Sequence, residues 1–331
     1  MTTLTLPPNP TPRNTTPSAK PADSTVSKHT LYGIGLAVLS NVLFGVLFAY
    51  SSWLAPLSGT QVFVWRIVAM WGVLLTFLLM SGKLAKSLTF LANLKTAKQW
   101  AWLLIPTPIF ASQFWLFMWA PVNGQGTQVA MGYFLFPLSM VLSGYVFLGE
   151  RLTRLQWVAV GLAGLGVAFE IIRTGQVSWA TLWVCGTYPI FYLLRRKQGV
   201  PALTGMLVDT SVILPFALAY LLWVSPSTLA MVTGSLSMAL LVAGLGAISV
   251  LALQTNVDAS KLLPMNVFGM LSYLEPALLF VLSVTVLGGA FEAGMAVSYG
   301  LIWAGIGCLI WQGMVSLQKS RKQKLKSVMA V

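Results

Sequence analysis

Three ionisable residues stand inside long apolar runs and could do chemistry there: Arg66, Asp209 and Glu275. A charged group at the centre of a membrane helix costs about 2.5–3.5 kcal/mol on insertion, so each needs a partner, a ligand or a proton. Arg66 and Asp209 could face a central cavity, with Arg66 as a fixed cation suited to a carboxylate or another anion. Glu275 is the proton-coupling candidate, because burial disfavours the charged form of a carboxyl. Plainer readings stay open beside these. Arg66 and Asp209 could snorkel toward headgroups or pair within the bundle. Glu275 could be a neutral carboxyl hydrogen-bonded to a neighbouring helix.

Polar and aromatic residues in the same runs are cavity candidates: Asn41, Gln113, Trp119, Tyr133, Tyr188, Tyr192 and Tyr273. The aromatics could equally be packing or interfacial residues; Trp53, Trp100, Trp102 and Trp223, near helix ends, read as the interfacial belt. Pro137 and Pro276 are hinge candidates, since proline inside a helix removes an amide donor and kinks it. Packing is the alternative for them. No metal-ligating cluster accompanies these residues: the one histidine is His29, and Cys185 and Cys308 lie in apolar runs. The chain reads as a non-enzyme with no metal and no cofactor.

The elements that must position such residues are membrane helices. The chain is 57% apolar and 8% charged, against ~25% charged in soluble domains. A net charge of +13 would suggest nucleic acid in a soluble chain. Here the basic residues fall between apolar runs, so the expected partners are the lipid bilayer and a small-molecule substrate, not nucleic acid. A homodimer is left open. Apolar runs of about 20 residues match a bilayer core of roughly 30 Å. They predict ten helices: 31–53, 60–80, 100–120, 125–148, 153–172, 178–194, 203–224, 235–256, 264–287 and 293–314. Residues 1–30, rich in Pro, Thr and Ser, read as a disordered tail, and 316–331 as a basic tail.

A charged elbow, Gly149-Glu150-Arg151-Leu152-Thr153-Arg154, separates the fourth run from the fifth, with Glu150 read as a structural partner of the nearby arginines. The stretch has a weaker echo 139 positions on, where Pro137 meets Pro276, Gly149 meets Gly288 and Gly161 meets Gly300. Two halves follow, 31–174 and 175–315. Five helices is an odd number, so the second copy enters the membrane inverted. With the N-terminus inside, 18 of the 20 Lys and Arg fall in cytoplasmic segments, the bias that orients membrane proteins. Arg173 alone falls outside, beside Glu170, where both read as solvated. The fold class is therefore all-α integral membrane: ten transmembrane helices as two inverted five-helix repeats, both termini cytoplasmic. The glycine sets Gly161-x-x-Gly164-x-Gly166 and Gly300…Gly305-x-Gly307 lie inside apolar helices and read as close-packing surfaces, not as a nucleotide fingerprint.

The closing stretch of the first half, FLGERLTRLQWVAVGLAGLGV, resembles the EamA-type drug/metabolite transporters. QFWLFMWAPVNGQGTQVAMGYFLFPL (113–138), the arginine of VWRIV, FYLLRRKQGVPALTGMLVDTSVILP (191–215) and FGMLSYLEPALLFVLSVTVLG (268–288) are similar to the RarD group of permeases. The resemblance implies an inner-membrane permease of amino acids, other metabolites or drugs, acting as an exporter. Two places depart from the pattern. Gly289 stands where an acidic residue is expected, with Glu292 three positions on, and Glu275 precedes Pro276 where a small or neutral residue is expected. The function that fits is a secondary transporter working by alternating access between inverted halves, since no Walker motif supplies a nucleotide site. An integral-membrane enzyme acting on a lipid, or a non-transporting scaffold, are the alternatives. The charge asymmetry makes a direct prediction. A cysteine replacing Ala290 reacts with an impermeant maleimide added to intact cells, and one replacing Lys86 reacts only after permeabilisation.

Overall fold

Several helix starts are written into the sequence as capping boxes. Ser58, Thr96 and Thr153 accept from the backbone N–H groups of Gln61, Gln99 and Gln156, whose side chains reach back to the cap amides. Each pairing satisfies two amides that a helix start leaves without partners. Gly149 closes the preceding helix at φ 68°, a left-handed cap that favours glycine. The elbow is thus a glycine stop followed at once by a capped start.

The computed structural model describes residues 24–149, 151–175, 178–263, 268, 271–289 and 292–329. The helices are α1 (Ser24–Trp53), α2 (Gly59–Met80), α3 (Leu84–Ala92), α4 (Ala97–Leu104), α5 (Thr107–Val122), α6 (Gly126–Leu148) and α7 (Arg154–Thr174). They continue with α8 (Trp179–Gln198), α9 (Ala202–Ala219), a π-turn (Tyr220–Val224), α10 (Pro226–Gly234), α11 (Leu236–Leu262), α12 (Leu274–Thr285) and α13 (Ala293–Met329). No strand occurs among the described residues.

Eight helical stretches among the described residues are long and apolar enough to cross a membrane. The expected spans at 178–194 and 264–287 are not among them. Helix α8 carries Arg195, Arg196 and Lys197 near its end, and α12 is only 12 residues long. The expected third span is two helices, α4 and α5, divided at Ile105-Pro106, where proline lacks the amide to continue the first. The short helices α3 and α10 were not foreseen. Helix α1 starts at Ser24, because the last tail proline is Pro21, and α13 continues to Met329 through Lys, Gln, Leu and Arg, all good helix formers. Residues 1–23 of the expected tail, and Glu150, lie outside the described residues.

Helix α2 lies centrally, packed on α5, α9 and α11, while α1 packs on α5, α11 and α12 and α6 on α8 and α12. Helices α7 and α13 form a close pair that also meets α6. In hydrocarbon, helices associate through tight packing of small residues rather than through water exclusion. The glycine sets divide on this point. A Cβ on Gly166 would lie 2.8 Å from the Ser298 carbonyl, and one on Gly305 2.7 Å from that of Ala159. Gly161, Gly164, Gly300 and Gly307 meet nothing within 4 Å, so these four are not contact residues. One helix face holds Ala159, Ala163 and Gly166; the others turn away.

One close crossing joins α11 to α2, where a Cβ on Gly246 would come within 2.6 Å of the Ala69 backbone. Gly246→Ala is therefore expected to destabilise the bundle by about 1–3 kcal/mol, whereas Gly161→Ala is neutral or gains up to ~1 kcal/mol from helix propensity. Unfolding of the purified variants in mixed micelles by added SDS measures both.

Candidate functional site

Arg66, on α2, is buried, with 2% of its surface exposed. Its Nε donates to the Ser249 hydroxyl on α11 at 2.9 Å. The guanidinium lies over the rings of Phe114 and Phe117 on α5, at 4.5 and 5.4 Å. A desolvated cation–π contact is worth about 2 kcal/mol, the same order as the cost of placing the charge at membrane depth. The terminal amino groups have no hydrogen-bond partner, and no carboxylate pairs with Arg66, among the described residues. Its fork, the group suited to bidentate carboxylate binding, is free.

Beside it stand Tyr133 and Tyr188, with Tyr192, 46% exposed, next along α8. The hydroxyls of Tyr133 on α6 and Tyr188 on α8 are 3.3 Å apart, and Tyr192 stacks on Tyr188 one helical turn along. Phe136 packs against both Tyr188 and Tyr192. Arg66 is within electrostatic reach of Tyr133 and Tyr188. Glu275 is within electrostatic reach of all three phenols. It has no ion pair among the described residues.

The structure moves Glu275 from mid-helix to a helix start. The chain turns at Ser272-Tyr273, and Glu275 and Pro276 occupy the first turn of α12. A proline is tolerated there because its missing amide would have had no partner. Pro276 therefore marks a helix start, while its counterpart Pro137 lies inside unbroken α6. Asn41 on α1 attends this break: its side-chain amide donates to the Leu271 carbonyl at 3.0 Å and to Ala37 at 2.8 Å. Its carbonyl oxygen is buried without a partner among the described residues. Tyr273 sits at the turn, packed on the apolar cluster of α6, α7 and α13.

Other candidates have separate tasks. Gln113 donates to Thr187 at 2.5 Å and to the Trp183 carbonyl at 3.2 Å, joining α5 to α8. Trp119 stacks on Trp115 and leans on Trp179, apart from the arginine–tyrosine group. Asp209 does not join Arg66. Its Oδ1 accepts from Thr107 at 2.6 Å and from Arg195 at 2.5 Å, and Arg195 also donates to the Leu103 carbonyl and to Gln198. The pair ties α8 and α9 to the α4–α5 junction, which is the bundle-internal pairing left open for Asp209. Glu170 and Arg173 are not solvated singly: Arg173 bridges Glu170 and Glu292, and Ser298 donates to Glu170. At Gly289 a Cβ would lie 2.8 Å from the Ser283 carbonyl, so a side chain there would need a shift of the backbone.

Ser249, Phe114, Phe117 and Arg195 were missed. Arg195 was read as a loop charge that orients the chain, and the phenylalanines had no signal beyond an apolar run. Phe110 stacks on Phe114 at 4.0 Å and leans on Phe191 at 6.1 Å, and Arg195 lies over Phe191. One aromatic row therefore joins buried Arg66 to part-buried Arg195.

These helices, with charges and phenols gathered at their centre, define a multi-pass membrane protein. The EamA-like transporter family matches residues 31–172. An uncharacterized transporter of Haemophilus influenzae is 41% identical over 293 residues, covering 87% of this chain and 97% of that one. The chloramphenicol-sensitive protein RarD of Pseudomonas aeruginosa is 38% identical over 295 residues, covering 88% and 97%. A crystal structure shares the fold with a TM-score of 0.55 at 19% identity, covering 87% of this chain and 99% of that chain. The chain belongs to the EamA-like transporter family, among its RarD-like permeases. It is a membrane transporter and not an enzyme.

Removing one partner of a buried ion pair leaves the other charge uncompensated, at a cost of about 3–5 kcal/mol. Asp209→Asn is expected to lose stability of that order, and Asp209→Asn with Arg195→Gln to recover most of it. A double-mutant cycle of unfolding free energies measures the coupling.

Proposed function

We propose that this protein is an inner-membrane secondary transporter that exports small organic molecules carrying a carboxylate, amino acids above all. It works by alternating access between two inverted five-helix halves. The observation that carries this reading is that Arg66 and Glu275, neither of them in an ion pair among the described residues, both lie within electrostatic reach of Tyr133 and Tyr188. Neither charge neutralises the other, and both are costly at membrane depth. A zwitterion answers both: its carboxylate meets the Arg66 fork and its ammonium meets the phenols and Glu275. Metabolites and amphipathic drugs of the same charge pattern fit the same group.

Support for two halves comes from three directions. Gly149 and Gly288, 139 positions apart, both adopt left-handed φ, at 68° and 66°. Arg154 and Ala293, also 139 apart, open α7 and α13. The packing partners exchange as a two-fold relation requires: α1 on α12 corresponds to α8 on α6, and α2 on α11 to α9 on α5, while α2–α9, α6–α12 and α7–α13 are pairs with themselves. On this reading α8 and α12 join the eight apolar stretches to make ten spans, with both termini cytoplasmic. Arg66 comes from the first half and Glu275 from the second, so the site lies where the halves meet, as in other inverted-repeat transporters. The break before α12 is the discontinuous helix typical of such sites.

Flux in purified proteoliposomes, measured with labelled amino acids and a labelled amphipathic drug with and without a pH gradient, tests the reading. Arg66→Ala is expected to raise the half-saturating concentration for carboxylate solutes about 10–100-fold, the loss of one or two charged hydrogen bonds. Glu275→Gln is expected to transport without responding to the gradient. Unchanged kinetics in both variants would remove the site from this place.

A further inference from the structure

A groove lined by none of the arginine–tyrosine residues runs along another face of α2. It holds about 670 Å³ between α2, α10 and α11. Its floor follows α2 from Trp65 to Met80, about 22 Å of helix at 1.5 Å per residue. Val232 and Val242 close the facing side. Thr76 and Thr233 line it too, but their hydroxyls donate to the Gly72 and Leu229 carbonyls of their own helices. The surface offered to a guest is therefore apolar. Gly72 opens the middle of the floor, for a Cβ there meets nothing within 4 Å.

One end of this groove is basic. Lys83 Nζ lies 5.3 Å from the ring of Phe77, which lines the groove beside Met80. Lys86 follows on α3, and both lysines are exposed, with no ion pair among the described residues. Helix α3 is held there by the Ser87–Thr204 hydroxyl contact at 2.9 Å, while Leu88 is left 53% exposed. A short helix with exposed lysines and an exposed leucine suits the headgroup level of a bilayer.

We infer that the groove seats an acyl chain of an anionic phospholipid whose phosphate is met by Lys83 and Lys86. The floor is long enough to carry a chain through one leaflet, half of a core of roughly 30 Å. The basic end selects the charge of the headgroup. A second copy of the chain is a poorer occupant. The two-fold axis of a membrane dimer would set this lysine group against its own image.

The test uses the purified full-length protein in detergent, with phosphatidylglycerol and phosphatidylcholine as probes and native mass spectrometry as readout. The wild type is expected to retain phosphatidylglycerol in preference to phosphatidylcholine. Lys83→Ala with Lys86→Ala removes the preference, each lysine being worth about fivefold, and leaves chain binding in place. Gly72→Phe fills the groove and displaces both lipids, while Gly72→Ala keeps them. Equal retention of the two lipids by the wild type overturns the inference, as does full retention by Gly72→Phe. A dimer lost on Gly72→Phe, with no lipid retained by the wild type, assigns the groove to a second copy instead. The lysine variants keep the test decisive if Gly72→Phe fails to fold.

Discussion

Hydrocarbon offers no water to a polar group, so each one inside the bundle must be answered by protein or by a ligand. The buried polar groups of this transporter divide along that line. Asp209 is answered by an opposite charge and a hydroxyl, from Arg195 and Thr107. Arg66 is answered in part, by one hydroxyl and two aromatic faces. The difference separates a structural ion pair from a charge whose fork has no partner among the described residues, although both residues are charged and both sit eight positions into their helices. Depth alone does not distinguish them; the partners do.

The same constraint acts on the backbone. The turn at Ser272-Tyr273 interrupts the helical ladder, and Asn41 supplies an amide to the Leu271 carbonyl there. Such a break is tolerated where protein covers it. It also sets Glu275 at a helix start, where the N-terminal end of the dipole favours negative charge. The carboxyl thus has an electrostatic reason to be in this place that a mid-helix position would lack.

Away from the centre, stability comes from how closely backbones approach. Helices α7 and α13 touch through Ala159, Ala163 and Gly166 on one side and Ser298, Ile302 and Gly305 on the other. The Glu170–Arg173–Glu292 cluster crosses the end of that seam. Gly294 lets it do so, since a Cβ there would meet the Arg173 side chain at 2.5 Å. Seam and clasp together hold α7 and α13 against each other.

Composition and spacing were enough for the membrane class, most helix positions, the elbow and the family. These depend on local properties: hydropathy over about 20 residues, capping residues, a glycine at a left-handed stop. The same local signals made candidates of Arg66, Tyr133, Tyr188, Tyr192 and Glu275, because charged and polar groups stand out in any apolar run. What they could not supply was pairing. Asp209 meets Arg195 across 14 positions, Arg66 meets Ser249 across 183, and Asn41 meets Leu271 across 230. Nor could they tell Gly166 from Gly164, since both are glycines in one apolar helix and only the neighbour's position makes one a contact. A side chain's type is local, but its partner is set by how distant helices cross, and that the tertiary structure alone decided.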